Sequence, residues 1–197
     1  AAAVACFDTA FHARMPAAAA TYALPAHWRE RWSLRRYGFH GLSHSYAARR
    51  AAELLEHRGL RVVTCHLGAG ASLAAVREGR SVDTTMGFTP LEGLVMATRS
   101  GSVDPGLVLW LLEHNAMGEA ELGYALEHSS GLRGLAGTAD MREVLRRRDA
   151  GDDAAVLAFE VYIHRLRGGI AAMAAALDGL DALVFTGGVG ERSAPVR

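Results

Sequence analysis

Two glycine-rich segments are the first places where this sequence could bind a charged ligand. Residues 66–72 read His-Leu-Gly-Ala-Gly-Ala-Ser after a β-branched run, so the backbone N–H groups of this turn could face a phosphate. The segment lacks the Gly-Lys-Ser/Thr of a Walker A loop, and by itself it fits a plain hairpin turn better. Residues 186–191 read Thr-Gly-Gly-Val-Gly-Glu after another apolar run. These glycines fit either the close approach of a nucleotide or an ordinary strand-to-helix turn.

A few polar residues could act on a transferring anionic group. His40 lies in the run Gly-Phe-His-Gly, where core packing explains a histidine poorly and the imidazole could donate a hydrogen bond to a developing anion. Arg99 could bind phosphoryl oxygens, although in isolation a structural role, pairing with Asp104 or capping a helix end, is favoured. Asp8 ends an apolar run, a position typical of metal ligands, catalytic carboxylates and N-caps alike. His40 and His44 could form a metal pair, but no third ligand is arranged nearby.

The composition excludes several classes of partner. Twenty-one basic residues against 21 acidic ones give a formal net charge of zero, so no long-range field attracts a nucleic acid backbone. No apolar run reaches the roughly 18 residues that span a bilayer. Cys6 and Cys65 are too few for a disulfide framework and fit a reducing compartment. We therefore expect a globular cytoplasmic protein that binds neither nucleic acid nor membrane.

Strands and turns are predicted around the glycine segments. Three β-branched or apolar runs form an antiparallel meander in this interpretation, at 61–67, 72–77 and 81–85. Residues 182–185 predict a buried strand that leads directly into the second glycine run. A further short strand could span residues 4–7 and end at Asp8.

Helical periodicity dominates the rest of the chain. Residues 42–57 predict a helix that begins with Ser43 as its N-cap and stops at Gly59. Asp104 and Pro105 start another helix. Further helices are predicted at 119–128, 140–148 and 153–177. Because the chain begins without Met and stops soon after a glycine turn, we expect an internal piece of a longer protein.

Together these segments resemble the acetokinase family of the actin-like kinase superfamily. The most specific run, Ser-Val-Asp-Thr-Thr-Met-Gly-Phe-Thr-Pro-Leu-Glu-Gly-Leu, occupies residues 81–94. Other matching runs lie in order along the chain, at 7–12, 36–41, 65–68, 98–105 and 186–191. The resemblance implies an α/β fold of the ribonuclease H-like, actin-like ATPase class (βββαβαβα). It also implies that residues 1–58 end a first such domain and residues 59–197 form a second, nucleotide-binding one, truncated at its C-terminus.

The resemblance also implies an activity: ATP and acetate react reversibly to give acetyl phosphate and ADP, with Mg²⁺ as cofactor, in a cytoplasmic homodimer. A propionate or butyrate kinase and a non-catalytic actin-like nucleotide-binding module remain as alternatives. A truncated piece that does not fold alone is a third.

Each site segment acquires a role from the resemblance. Asp8, His40 and Arg99 match catalytic residues, with His40 and Arg99 as transition-state stabilisers and Asp8 linked to the magnesium arrangement. Phe39 and Pro90 match part of the apolar pocket for acetate. The ATP-binding positions are His66, Leu67, Gly68, Ala69, Gly70, Asp140, Met141, Arg142, Gly187, Gly188, Val189 and Gly190. The resemblance assigns no metal ligand within the chain.

Three positions depart from the family pattern. Ala69 replaces a usual Asn beside the phosphates, Ser102 replaces an Asp, and Arg192 replaces an Asn. A first phosphate loop, a second substrate arginine and a glutamate tied to magnesium would lie outside this chain. The site that the resemblance implies is therefore completed by other segments.

Overall fold

The computed structural model of the protein describes residues 3–57, 59–114 and 117–197. Its sheet consists of β1 (Arg61–Leu67), β2 (Ala71–Arg77), β3 (Arg80–Thr84) and β4 (Ala182–Thr186). The spatial order is β3-β2-β1-β4. β1 pairs antiparallel with β2, and β2 with β3, which confirms the predicted meander. β4 lies parallel to β1, with Val63 opposite Leu183.

Helices connect and cover the strands. They are α1 (Ala17–Ala20), α2 (Ala26–Trp32), α3 (Gly41–Leu54), α4 (Pro105–His114), α5 (Glu119–Tyr124), α6 (Gly131–Ala136), α7 (Met141–Asp149), α8 (Asp153–Ala176) and α9 (Gly187–Arg192). A 3₁₀ turn at Ala10–His12 and a π-helical turn at Ala125–Ser129 complete the helical elements of the described residues. All of the predicted helices form. In the described ranges no helix is long and apolar enough to cross a membrane.

The sheet separates two apolar layers. Val63, Cys65 and Leu67 of β1 belong to the larger core cluster, which includes residues of α6, α7 and α8. Val62 belongs to a smaller cluster with Ala48 of α3. Because alternate residues of a strand point to opposite faces, α3 and α8 cover opposite faces of the sheet.

α8 packs closely on β2 at Gly169. A Cβ on Gly169 would lie 2.8 Å from Cδ1 of the fully buried Leu73, whereas a Cβ on Gly168 would meet nothing within 4 Å. Overpacking at Gly169, about 1–3 kcal/mol, should exceed the gain in helix propensity of about 1 kcal/mol. We expect Gly169→Ala to lower the free energy of unfolding and Gly168→Ala to raise it by about 1 kcal/mol. Urea denaturation followed by circular dichroism checks the pair, and equal effects would contradict this packing.

One sequence prediction is wrong, and the structure decides between two interpretations of another. Residues 3–7 form no strand, and Val4 and Phe7 are 84% and 72% exposed. An apolar run becomes a strand only where a neighbouring backbone pairs with it, and among the described residues this run pairs with neither edge of the sheet. The second glycine run is not an open loop, because from Gly187, with φ of 77°, it winds directly into α9. Of its two interpretations, the strand-to-helix turn is confirmed.

Candidate active site

His40 is held at the start of α3 by the Asp8 segment. Its backbone is left-handed, with φ of 55°, and its N–H donates to Asp8 Oδ2 at 2.6 Å. The N–H of Gly41 donates to the Asp8 carbonyl at 3.0 Å, and a Cβ on Gly41 would lie 2.0 Å from that oxygen. Glycine is therefore required at this position. Of the roles open for Asp8, the structure shows a carboxylate that binds the N-terminal backbone of a helix.

The predicted N-cap of α3, Ser43, has another partner. The helix begins two residues before Ser43, and the Ser43 hydroxyl lies 2.8 Å from His66 Nδ1. Asp8 replaces it as the group that binds the first backbone N–H groups of the helix. The sequence could not show this, because Asp8 lies more than 30 residues away.

The His40 imidazole lies against the first glycine turn. Its Nδ1 is 2.8 Å from Ser72 Oγ, and the ring stacks on His66 with centroids 4.2 Å apart. A Cβ on Gly70 would lie 3.3 Å from His40 Nε2 and 3.5 Å from Arg99 Nη1. Because Gly70 has no side chain, the His40 ring and the Arg99 guanidinium can approach the same point of the turn. The fold brings His40, Arg99 and this turn together.

Arg99 has no acidic partner in the part of the chain that the structure describes. Its Nη1 donates to the Pro90 carbonyl at 3.3 Å and contacts Met96 Sδ at 3.7 Å. Among the described residues, no carboxylate forms a salt bridge with it. Asp104 instead binds the N–H of Gly106 at 2.8 Å and so starts α4. The alternative interpretation of Arg99, a pair with Asp104, is therefore wrong.

The His40 ring is neutral at neutral pH. The pKa of His40 is lowered to about 4, chiefly by burial and next by the neighbouring His66. Asp8 acts in the opposite direction but does not restore the usual pKa. The positive charge beside the glycine turn therefore comes from Arg99.

The buried histidines make the fold sensitive to acid. Burial lowers the pKa of four of them below the usual 6.5: His12, His40, His44 and His66. The unfolded chain binds these protons at a higher pH than the folded chain does. The free energy of unfolding should therefore be fully retained above about pH 6.5 and fall as the pH drops toward 4. Near pH 5 we expect unfolding to take up about two to four protons.

Urea titrations at several pH values measure this proton uptake as the slope of the free energy of unfolding against pH. A free energy that stays constant between about pH 7.5 and 5 would contradict the burial of these rings.

A cavity of about 680 Å³ opens beside the same turn, within the usual size range of ligand sites. Several predicted ATP-binding residues line it: Gly68, Ala69, Asp140, Met141, Arg142, Gly188 and Val189. Asp140 caps α7 by accepting from Arg142 N–H at 2.9 Å, and the two side chains form an ion pair at 2.6 Å. The turn between β1 and β2 and the starts of α7 and α9 thus share one cavity.

The other predicted ATP-binding residues do not line this cavity. The Leu67 side chain is fully buried in the core. A Cβ on Gly187 would lie 2.6 Å from the Leu67 carbonyl oxygen, and Gly190 lies over the Cys65 carbonyl at 3.6 Å by the same measure. These two glycines let α9 pack on β1. His66 and Gly70 lie with His40.

Sequence reasoning missed two polar residues of the cavity, Tyr162 and Ser193. Both line it, and both hydroxyls are buried without a hydrogen-bond partner in the described part of the chain. Buried hydroxyls are usually paired, so these two are exceptions, and they lie in the wall of the cavity. Tyr162 occurs on an apolar helix face, where the sequence pattern indicates only core packing.

Phe39 and Pro90 occupy different settings. Phe39 packs against the larger core cluster, and its carbonyl oxygen lies 3.0 Å from His12 Nε2. Pro90 lies in the loop after β3, where its carbonyl accepts from Arg99. That loop is tied back by Arg36, which donates to the carbonyls of Thr85 and Met86 at 3.1 Å. Neither Phe39 nor Pro90 lines the 680 Å³ cavity.

The residues that the structure describes do not form a metal site of their own. In residues 3–57, 59–114 and 117–197, no group of three or more His, Cys, Asp or Glu side chains could hold an ion. Ser72 Oγ lies between His40 and His44, within 2.8 Å of a ring nitrogen of each. The two rings therefore share a hydroxyl group and do not face a common metal position.

The sheet order and its coverings define the class. An antiparallel meander extended by one parallel strand and covered by helices on both faces is an α/β domain of the ribonuclease H-like, actin-like ATPase class. The chain belongs to the acetokinase family, whose model matches residues 1–197. The predicted fold class and family are both confirmed.

Individual relatives are similar over nearly the whole chain. The acetate kinase of Synechococcus sp. (strain JA-2-3B'a(2-13)) is 59% identical over 197 residues, which cover 98% of this chain and 48% of that protein. The crystal structure of Porphyromonas gingivalis acetate kinase matches with a TM-score of 0.94 at 43% identity, over 97% of this chain and 49% of that chain. A propionate kinase from Francisella tularensis subsp. tularensis SCHU S4 matches with a TM-score of 0.94 at 44% identity, over 97% and 50%. The chain thus spans about half the length of the relatives it matches.

Proposed function

We propose that this chain is part of a longer acetate kinase, which transfers a phosphoryl group reversibly from ATP to acetate and yields acetyl phosphate and ADP. One observation carries the proposal: Arg99, without a carboxylate partner in the described ranges, meets the neutral ring of His40 at a glycine turn beside a nucleotide-sized cavity. The 59% identity to an acetate kinase supports the same activity. Because that relative is about twice as long, we assign the activity to the longer protein, called the complete polypeptide below.

Arg99 and His40 are the proposed transition-state stabilisers. Phosphoryl transfer depends on in-line positioning and on neutralising the equatorial oxygens, with little covalent help. Arg99 supplies a fixed positive charge, and the neutral His40 ring supplies a hydrogen bond without a second charge. Asp8 orients His40 through the backbone bond of 2.6 Å. Phe39 and Pro90 are proposed as part of the apolar wall around the acetate methyl group.

The 680 Å³ cavity is the proposed ATP site. The turn at residues 68–70 would face the phosphates, because Gly68 and Ala69 line the cavity and Gly70 lies against Arg99. Residues 140–142, Gly188 and Val189 line this cavity and would hold the adenosine, where Gly188 lets a flat group approach the backbone.

Mg²⁺ is proposed to arrive with ATP. The described residues offer no metal site of their own, and Mg²⁺ is commonly bound through substrate phosphates and few protein ligands. When bound, it neutralises phosphate charge.

The family resemblance further supports a cytoplasmic homodimer in which residues 1–58 and 59–197 belong to two actin-like domains.

The identity of the carboxylic acid substrate that accepts the phosphoryl group is tested by trapping the acyl phosphate product with hydroxylamine. The complete polypeptide is supplied with Mg·ATP and acetate, propionate or butyrate. We expect acetate to give the highest kcat/KM, with propionate lower by about 10–200-fold, because one methylene changes binding by about 1–3 kcal/mol. The similarity to a propionate kinase makes propionate the second candidate substrate, and a higher kcat/KM for propionate would replace acetate in the proposal. Binding of ADP without any acyl phosphate would instead support a non-catalytic module.

A further inference from the structure

A line of hydrogen bonds runs from the interior of the sheet to His40. His44 Nδ1 is 2.7 Å from Thr64 Oγ1, and His44 Nε2 is 2.7 Å from Ser72 Oγ. The same Ser72 oxygen is 2.8 Å from His40 Nδ1. Thr64, His44 and Ser72 are fully buried, so solvent does not compete for these bonds. We call these three residues the relay.

The proton positions follow from the single proton on each hydroxyl. Thr64 Oγ1 is 2.7 Å from His44 but 3.4 Å from the Ala74 carbonyl, which exceeds the usual O–H···O range. Thr64 therefore donates to His44 Nδ1. Burial lowers the pKa of His44 well below 6.5, so its ring is neutral and carries one proton, on Nε2. That proton is donated to Ser72, and the Ser72 hydroxyl is left to donate to His40.

The order of these bonds sets the tautomer of His40. Because its Nδ1 accepts from Ser72, the single proton of the neutral ring is on Nε2. Nε2 is the atom that lies against the Gly70 turn beside Arg99. In the opposite order, Nε2 would present a lone pair to that turn, and a lone pair repels the oxygens of a phosphoryl group. The direction of the relay therefore decides whether His40 can donate to an anion.

We propose that Thr64, His44 and Ser72 are positioning residues that keep the proton of His40 on Nε2, where it can donate to a phosphoryl oxygen. The proposal rests on the proposed function only for the identity of that acceptor. The tautomer itself is a property of the protein without substrate.

Nitrogen NMR tests the tautomer directly. Long-range ¹H–¹⁵N correlation spectra of the histidine-labelled complete polypeptide are recorded without ligands near pH 7, and His40→Gln identifies the His40 signals. We expect the Nε2–H tautomer for His40. In Ser72→Ala, Nδ1 of His40 loses its donor, so we expect a mixture of tautomers and a kcat lower by about 10–100-fold, with KM for ATP unchanged. The unchanged KM separates a role in the chemical step from a general loss of structure.

Two variants of His44 test the relay independently of Ser72→Ala. His44→Gln keeps a side-chain N–H that can reach Ser72, whereas His44→Leu keeps the volume and loses every polar atom. We expect His44→Gln to retain the Nε2–H tautomer and more activity than His44→Leu. An Nδ1–H tautomer in the unsubstituted protein, or an unchanged tautomer in folded Ser72→Ala, would overturn the relay. The Nε2–H tautomer in a protein that forms no acyl phosphate would support the relay and contradict the proposed function.

Discussion

Replacing Arg99 by Ala should lower the kcat of the complete polypeptide by about 10³-fold or more, the largest effect that we expect from any single substitution. Arg99 carries the positive charge that meets His40 at the Gly70 turn, and no described carboxylate neutralises it. Its structural contacts are modest, since it donates to one carbonyl at 3.3 Å and contacts one sulfur at 3.7 Å. The free energy of unfolding should therefore change by no more than about 1.5 kcal/mol.

Two matched variants accompany Arg99→Ala. Arg99→Lys keeps the charge but loses the planar fork, so we expect partial activity above that of Ala. Arg146 is 68% exposed and paired with Glu143 on α7, and Arg146→Ala should keep full activity. Steady-state kinetics and urea denaturation measure both properties. Activity of Arg99→Ala within tenfold of the unsubstituted protein would contradict the role of the guanidinium.

Replacing His40 by Asn should lower kcat by about 10²–10³-fold, the usual effect of losing one hydrogen-bond donor to a transition state. Asn is the matched choice because His40 has φ of 55°, and Asn tolerates this left-handed conformation better than Ala does. The backbone bond from residue 40 to Asp8 Oδ2 is kept. A loss of activity therefore reports the ring and not the loop.

The pH dependence provides a second measurement at the same residue. Because the pKa of His40 lies at about 4, the ring is already neutral throughout the range around pH 6 to 8. We expect kcat to show no titration of this histidine there. A loss of activity centred near pH 6.5 that disappears in His40→Asn would show that the ring titrates normally and is not buried as described.

The meander and the long helices could be predicted because their signals are local. β1, β2 and β3 are apolar runs separated by glycine turns, and each pairs with its neighbour in sequence. α8 carries a long apolar stripe and an Asp at its N-cap. Residues 3–7 have the same apolar character but pair with no described strand, and pairing is not visible in composition.

The assembly of the site could not be predicted from local signals. Asp8, His40, Gly70 and Arg99 lie far apart in sequence and meet only through the fold. The family resemblance named them together, but spacing alone left open a metal pair and an ordinary hairpin turn. The structure shows how they meet: a glycine that lets two side chains approach one turn, and a carboxylate that holds a helix start.

Neither the hydrogen bonds of the relay nor the two hydroxyls in the wall of the cavity could be predicted from the sequence. His44 and Ser72 belong to a helix and a strand whose patterns read as packing. Their bonds exist because α3 packs on the sheet where His44 reaches Thr64 of β1 and Ser72 of β2. Tyr162 likewise lies on an apolar helix face whose pattern indicates core packing. Only the structure shows that Tyr162 lines the cavity and that its hydroxyl has no hydrogen-bond partner among the described residues.

The fate of the γ-phosphoryl group of ATP tests the proposed function most directly. The complete polypeptide is incubated with γ-labelled ATP, Mg²⁺ and acetate, and the labelled products are separated. Acetyl phosphate should carry the label in the unsubstituted protein, and its formation should fall by about 10³-fold in Arg99→Ala. The label could instead appear only as inorganic phosphate, or remain on ATP while the protein still binds ADP. Either result would contradict the transfer of the phosphoryl group to acetate at the site of His40 and Arg99.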